Sequence, residues 1–373
     1  PAADIVRAAK MYGAGPALLW LGQGLQRQPM GGNIIRACSL LPALCGNFSK
    51  PGAGLLYLNG GGQKGVDGDY LTASHLSNCP ETLSQMDMAG YLESAENARA
   101  FVCWNINPVA SSPEQGRLMK ALMREDLFTV VLDIFATDTT DYADFVLPAA
   151  SFLEFDDMVS GYFNLSFSAQ AKVAEPMGEA LPNQEIFRRL ASAMGFTEAE
   201  LQESDADMIA NVVKSVGTAG GYEGLKANGT LFSNPEPQMQ FAGHKFPTAS
   251  GKIEIASATA EADGHPRLPQ SDADAKPAAG RLRLITPASP WLMNDSYAND
   301  PKVAKQLGAA TVTINPADAE ACELTAGSKV RLFNDTGSLE LDVAISDSVP
   351  QGVAMSVKGR WPRSAGKERA NVN

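Results

Sequence analysis

The chain has 373 residues, 45% of them hydrophobic, with 30 Lys and Arg against 42 Asp and Glu and a net charge of -12. That length and apolar content fill two sizeable cores, which excludes a disordered or fibrous protein. The acidic balance, without any basic stripe, excludes a nucleic-acid partner, because phosphates are bound by clustered Lys and Arg.

No apolar run reaches the roughly 20 residues that a membrane helix needs, so no direct membrane insertion is expected. The chain opens at Pro1 with no initiator methionine or signal peptide in view, which leaves the compartment unassigned. Cys38, Cys45, Cys79, Cys103 and Cys322 form no CxxC pair, so a zinc or iron-sulfur site built from this chain is not expected. His75, His244 and His265 lack metal-ligand spacing, which also argues against a His-based catalytic triad.

In chain order, a helix is expected from Asp4 to Tyr12, ended by Gly13, followed by a short apolar strand from Ala17 to Leu21. Gly22 to Gly32 is a Gly-rich turn leading into a helix with Ile34, Ile35, Cys38, Leu41 and Leu44 on its apolar side. Strand, Gly-rich turn and helix together bring backbone N–H groups close to a phosphate, although such a turn also serves as a plain tight connection. Gly46 to Asn78 reads as a long Gly-rich loop, a kind that is usually functional or mobile. Ala100 to Cys103 and the run from Val131 to Ala150 read as buried strands with polar residues at their ends, and a helix from Pro113 to Glu125 makes the crossover. An irregular, aromatic-rich span follows to Val173, then a helix from about Gln184 to Gly195 and helical edges between Thr197 and Gly229. Ala262 to Gly280 is rich in Pro, Asp and Ala and reads as a linker or surface crossing. Beyond it come short β runs at Leu282 to Ile285, Ala310 to Ile314, Lys329 to Phe333, Leu339 to Ile345 and Val353 to Val357, which predict a small barrel.

Open α/β sheets bind ligands at the carboxyl ends of their strands. Two such ends stand out, Trp104-Asn-Ile-Asn-Pro108 and the segment beginning at Asp133. The order Asn107-Pro108, then Asp133-x-Phe135-x-Thr137-x-Thr139-x-x-x-Ala143-Asp144-x-x-Leu147-Pro148, then Glu154, resembles the molybdopterin oxidoreductases of the dimethyl sulfoxide reductase family. Gly46-Asn47, Pro51-Gly52, Pro247-Thr-Ala-Ser-Gly-Lys-Ile-Glu254 and Ile314-Asn-Pro-Ala-Asp-Ala319 followed by Gly327 extend the resemblance over most of the chain.

The resemblance implies the C-terminal half of a catalytic subunit, truncated at both ends. Residues 1–215 would form the C-terminal part of an α/β, Rossmann-like molybdopterin-binding domain, 216–280 a connecting segment, and 281–373 a double-psi β-barrel that binds the dinucleotide. The implied cofactor is molybdenum or tungsten held by two pterin guanine dinucleotides. A [4Fe-4S] cluster and the metal ligand would lie outside this chain. A small-molecule substrate, an iron-sulfur electron-transfer subunit, and a place on the cytoplasmic or periplasmic face of a bacterial membrane-associated complex also follow from it.

Carried over residue by residue, Gln23, Arg27, Gln63, Asn107, Asp133, Asn183, Thr286, Trp291, Asn294 and Asn373 are the expected cofactor contacts, with Asn371 an equal match for the last. Asp133 would accept hydrogen bonds from a guanine or ribose, and the Arg27 fork suits a pyrophosphate. Pro108 holds Asn107 extended, its amide aimed into the crevice; a cap or turn is the plainer role. Asn183 reads equally as the N-cap of its helix, and Trp291 as a stacking or a buried residue. Asp144 and Glu154 are expected to accept backbone N–H groups of the local loop. Related formate dehydrogenases carry an Arg just ahead of the loop Gln. Here Gly61-Gly62 precedes Gln63, which disfavours formate. A cofactor-free structural subunit like the large iron-sulfur subunit of complex I, or an NAD- or thiamine-diphosphate-binding α/β domain, are the competing readings. The crevice-facing polar residues favour the enzyme over the first, and the missing GxGxxG counts against NAD.

Overall fold

The computed structural model describes residues 1–58, 64–76, 82–161, 163–232, 236–270 and 275–365. Gln63, Asn371 and Asn373 lie outside the described residues. The elements run α1 (Ala2–Ala14), β1 (Leu18–Trp20), α2 (Gly31–Leu44), β2 (Gly54–Leu56), α3 (Gly68–Thr72), α4 (Met88–Leu92), β3 (Ala100–Trp104), α5 (Pro108–Ser111), α6 (Gln115–Leu122), β4 (Phe128–Asp133) and β5 (Phe145–Pro148). After these come β6 (Asp157–Ser160), β7 (Ser166–Gln170), α7 (Asn183–Ala193), α8 (Asp205–Ser215), α9 (Gly221–Asn228), β8 (Thr230–Phe232) and α10 (Ala258–Ala262). The chain closes with β9 (Arg283–Ile285), α11 (Pro301–Leu307), β10 (Thr311–Ile314), α12 (Pro316–Ala321), β11 (Lys329–Phe333), β12 (Ser338–Ile345) and β13 (Val353–Met355).

Packing gathers the chain into two compact units that alternate along it. Unit 1 takes Pro1–Ser74, Asp156–Ala171 and Glu203–Ala275, and unit 2 takes His75–Phe155, Lys172–Gln202 and Lys276–Asn373.

In unit 1, β1 and β2 pair in parallel, with Leu18 opposite Gly54, and a 3-10 turn at Leu25–Arg27 leads into α2. The expected strand, Gly-rich turn and helix are therefore present. Gly31 is required where it stands, because a Cβ there would meet the Gln26 carbonyl oxygen at 2.6 Å. Two expectations for this unit are corrected. The aromatic span read as irregular forms β6 and β7, which join β8 in an antiparallel sheet. The segment read as a linker or surface crossing is in part strapped to α2: Arg36 donates to the carbonyls of Pro266 and Arg267, each at 2.8 Å, and Asn33 Oδ1 accepts from Gln270 N at 3.2 Å.

Unit 2 holds a three-stranded parallel sheet in the order β3, β4, β5, with α5 and α6 crossing between β3 and β4. Its core joins Val109, Leu118, Ala121, Leu122 and Leu127 to Ala89, Leu92 and Ala98, with Phe101 packed against them. Each of the Val and Leu side chains contributes roughly 1.5 to 3 kcal/mol on burial. β4 is buried as expected, but β5 is the sheet edge, and Phe145 and Val146 on it are exposed. Strands β9 to β13 form a mixed five-stranded sheet, order β11, β12, β10, β13, β9, that curls into a half-barrel over Val312, Ile314, Leu341, Val343 and Ala354. All five expected runs are strands, and among the described residues β11 and β9 are the outer strands of this sheet.

Candidate functional site

The carboxyl ends of β3 and β4 lie side by side in unit 2. Trp104 is in register with Leu132, and the next residue, Asn105, donates its N–H to Leu132 O at 3.2 Å. Asn105 turns the chain with φ at +57°, a left-handed conformation that Asn tolerates better than other side chains. Its Oδ1 accepts from Asn183 Nδ2 at 2.9 Å. Asn183 therefore does not cap α7, whose N-cap position is Pro182 without a side-chain cap. The Asn183 Oδ1 atom is buried and has no hydrogen-bond partner.

Asp133 ends β4 and accepts from Phe135 N at 3.3 Å. Burial pushes its carboxyl above the usual carboxylate range, with the backbone N–H groups of Phe135 and Ile134 acting in the opposite sense. Asp295 is raised too, first by burial and then by the neighbouring carboxylates of Asp133 and Asp138, while Lys358 pulls the other way. The end of β4 and the loop after β9 thus share one electrostatic environment. Burial, with the Asp133 charge added, pushes the Cys103 thiol up to about 12, so it stands as an un-ionised core group donating to Ile106 O.

Asn107 takes a different place from the one expected. Its buried amide turns inward, accepting at Oδ1 from Thr139 Oγ1 at 2.8 Å and Thr139 N at 3.2 Å, and donating from Nδ2 to Asp138 Oδ2 at 3.2 Å. Asp138 Oδ1 in turn accepts from Arg363 N at 2.7 Å. The Arg363 guanidinium donates to Ala136 O at 2.7 Å and Thr137 O at 3.1 Å and pairs with Asp141. This network fixes the 3-10 helix at Asp138–Tyr142 against the segment after β13.

Trp361 anchors the same segment, its Nε1 donating to Asp295 O at 2.8 Å and its ring packing with Ala110, Leu292 and Ala298. At Gly359 (φ +94°) a Cβ would lie 1.8 Å from Asn294 O, so only glycine fits. Thr286, Trp291 and Asn294 are exposed on the loop after β9, with the Trp291 N–H donating to Ser289 Oγ at 3.1 Å.

In unit 1, Gln23 and Arg27 are exposed on the Gly-rich turn before α2, which has no side-chain cap. Other motif residues are structural. Asn47 Oδ1 accepts from Ala17 N, Asp144 Oδ2 from Thr129 N, and Glu154 from Ser151 N and Met177 N. Asn315 caps α12, and Ser250 and Glu254 close their own turn. Among the described residues no three His, Cys, Asp or Glu side chains converge as a metal site, and no helix is long and apolar enough to cross a membrane.

Sequence reasoning missed Asn105 and Asp295. The signal for the first was an Asn just past a strand; the second has no local signal, since it comes near Asp133 only through the fold.

A family model described as Molybdopterin oxidoreductase matches residues 4–193, and one described as Molydopterin dinucleotide binding domain matches residues 282–373. The chain is 33% identical to the "Probable oxidoreductase YoaE" of Bacillus subtilis (strain 168), over 98% of its own length and 54% of that protein. It is 26% identical to the "Dimethyl sulfoxide/trimethylamine N-oxide reductase" of Cereibacter sphaeroides, over 97% of its own length and 51% of the relative. It thus spans about half the length of these curated relatives. Acetylene hydratase from Pelobacter acetylenicus shares the fold, with a TM-score of 0.63 at 22% identity over 74% of this chain and 39% of that one.

Proposed function

The chain belongs to the molybdopterin oxidoreductase family, and we propose that it is the part of a catalytic subunit that binds the pterin guanine dinucleotides of a molybdenum or tungsten centre. The single observation that carries this reading is the cluster at the ends of β3 and β4. There Asn183 leaves a buried carbonyl oxygen unpaired beside Asn105, and Asp133 holds a desolvated carboxylate. Such groups fit a guanine base and its ribose, whose N–H and O–H donors would satisfy acceptors that the fold alone leaves wanting.

In this reading Asp133 accepts from the base or ribose, and Asn183 and Asn105 fix its edge. Thr286, Trp291 and Asn294 line a dinucleotide from the loop after β9. Gln23 and Arg27 bind pterin or pyrophosphate at the turn of unit 1, and Gln63, Asn107 and Asn373 complete the proposed set, Asn107 by holding the loop in shape. The proposed organisation is a molybdopterin-binding part over 1–215, a connector over 216–280 and a double-psi barrel over 281–373. The family models that cover 4–193 and begin again at 282, and the parallel pairing of β10 with β12 and β13 with β9, support it.

When bound, the metal and pterin supply the redox chemistry on a small substrate by oxygen-atom, sulfur or proton and electron transfer; the protein positions and tunes them. A separate iron-sulfur subunit is the proposed electron partner, and a [4Fe-4S] cluster would belong to sequence outside this chain.

The test is Asp133→Ala in the full-length polypeptide. Loss of a charge-assisted acceptor worth roughly 1.5 to 3 kcal/mol should lower the guanine nucleotide released by acid after equal dialysis. Equal nucleotide content in variant and parent would refute the assignment.

A further inference from the structure

The two walls of the proposed dinucleotide site are loops, one following β4 and Asp133, the other following β9 and carrying Thr286, Trp291 and Asn294. A loop keeps a binding geometry only as well as the groups behind it hold the loop. Both walls belong to unit 2. Beyond burial, the charges of Asp133 and Asp138 raise the Asp295 carboxyl, so the walls stand within electrostatic reach of each other. Like charges repel, and the walls need a fastening that acts against that repulsion.

The segment at 358–363, shortly after β13, is that fastening. Its first residues hold the wall after β9. The Lys358 N–H donates to Pro287 O at 3.2 Å, Gly359 lies so close to Asn294 O that no Cβ fits, and Trp361 Nε1 donates to Asp295 O at 2.8 Å. Its last residue holds the wall after β4. The Arg363 N–H donates to Asp138 Oδ1 at 2.7 Å, while the guanidinium donates to Ala136 O at 2.7 Å and Thr137 O at 3.1 Å and pairs with Asp141. A planar guanidinium serves two carbonyls and a carboxylate at once, a fork that Lys does not copy. Arg360 spends its own guanidinium elsewhere, on the carbonyls of Leu307, Gly308 and Ala309 at the end of α11, at 2.9 to 3.1 Å.

We propose that Arg363 is a positioning residue for the dinucleotide. By tying the loop after β4 to the segment that holds the loop after β9, it sets the spacing between Asp133 and the wall at 286–294, and with it the rate at which bound nucleotide leaves. This rests on the reading of the crevice as the guanine dinucleotide site. Walls ordered in advance spare the ligand the cost of ordering them, and the loss of such order shows mainly as faster dissociation.

The experiment uses the full-length polypeptide purified with its cofactor. Arg363→Met keeps the backbone N–H to Asp138 but removes both carbonyl bonds and the ion pair; Arg363→Lys keeps the charge beside Asp141. Arg360→Met is the control for lost stability alone, since it also removes guanidinium bonds to carbonyls, but on α11. Guanine nucleotide release is followed during dialysis, alongside Tm. Arg363→Met should shed nucleotide at least about 10-fold faster than the parent, as expected for losing charge-assisted hydrogen bonds, with Arg363→Lys in between. Arg360→Met should lower Tm and release at the parent rate. Release from Arg363→Met at the parent rate, or equally fast release from Arg360→Met, would overturn the proposal. Hydrogen exchange at the Phe135 amide, which Asp133 holds, reads the same loop whether or not nucleotide is bound. It should quicken in Arg363→Met and not in Arg360→Met, and unchanged exchange in Arg363→Met also overturns the proposal. Nucleotide kept by Asp133→Ala but shed by Arg363→Met would sink the Asp133 assignment and leave the positioning role standing; the reverse pattern would sink the positioning role alone.

Discussion

Replacing Asn107 by Ala separates its role in the loop from a direct role in binding. The substitution removes the acceptor of two donors on Thr139 and one donor to Asp138, all buried. The Thr139 N–H is left orphaned at a cost of about 1 to 3 kcal/mol. The hydroxyl of Thr139 keeps its role as acceptor from Val109 N, and Asp138 keeps the Arg363 N–H, so these losses are partial. The sum is about 2 to 4 kcal/mol, or a Tm lower by roughly 5 to 15 °C in a unit of this size. Thermal denaturation gives the total, and native-state hydrogen exchange should show the amides of Thr139 and Arg363 opening first. Asn107→Asp tests the sign. It sets a second carboxylate against Asp138, raising a folded-state pKa above its unfolded value, so the loss should be largest at neutral pH and fade as pH falls toward 4. A Tm for Asn107→Ala within about 1 °C of the parent would refute the reasoning, because a buried orphan amide cannot be that cheap.

Burial raises the folded-state carboxyls of Asp133 and Asp295, so their ionisation opposes folding as pH rises past the unfolded value. Asp133→Asn and Asp295→Asn should each raise the Tm of the ligand-free chain at pH 7, a gain that vanishes near pH 4; a gain that grows on acidification would contradict the assignment. Gly359→Ala forces a Cβ to within 1.8 Å of Asn294 O at a φ of +94°, and should cost more than about 3 kcal/mol in urea denaturation, most of it in unit 2. With its thiol pushed up to about 12, Cys103 should resist iodoacetamide at pH 8 while exposed Cys322 reacts, as read by peptide mass spectrometry. Arg36→Ala removes two hydrogen bonds to the 266–270 strap, so limited proteolysis should move into that segment without a large change in Tm.

The parallel sheet is legible in the sequence because Val130, Val131 and Leu132 make a continuous apolar run that ends on a carboxylate, and because Asn-Pro marks the turn after β3. The β runs after Leu282 are legible for the related reason that Asn334 to Gly337 and the other turns punctuate short alternating segments. What escapes is set by distance. β8 joins β7 from far along the chain, with Ser166 opposite Phe232, so local pattern shows only an aromatic stretch. β2 is three residues inside a Gly-rich loop and exists because β1 lends it hydrogen bonds. Arg36 reaches carbonyls, and Asn33 a backbone N–H, more than 200 positions away, which a composition reading of Ala262 to Gly280 does not register. At the site, strand-end logic locates Asp133, whereas the choice between Asn105 and Asn107 turns on a left-handed φ that the letters alone do not specify.

The clamp of Arg363 onto Asp138 spans 225 positions. A ribosome adding 5 to 20 residues per second delivers the second partner roughly 11 to 45 s after the first. Throughout that interval the 3-10 helix at Asp138–Tyr142 has neither the Arg363 N–H nor its guanidinium, and Trp361 has yet to fill the space beside Ala110, Leu292 and Ala298. Nascent chains therefore wait with Asp138 and Asp141 unclamped and Ala110 uncovered, a state that chaperones can hold and proteases can recognise. Translation that stops short of Arg363 yields a product in which Asp138 and Asp141 lack this partner.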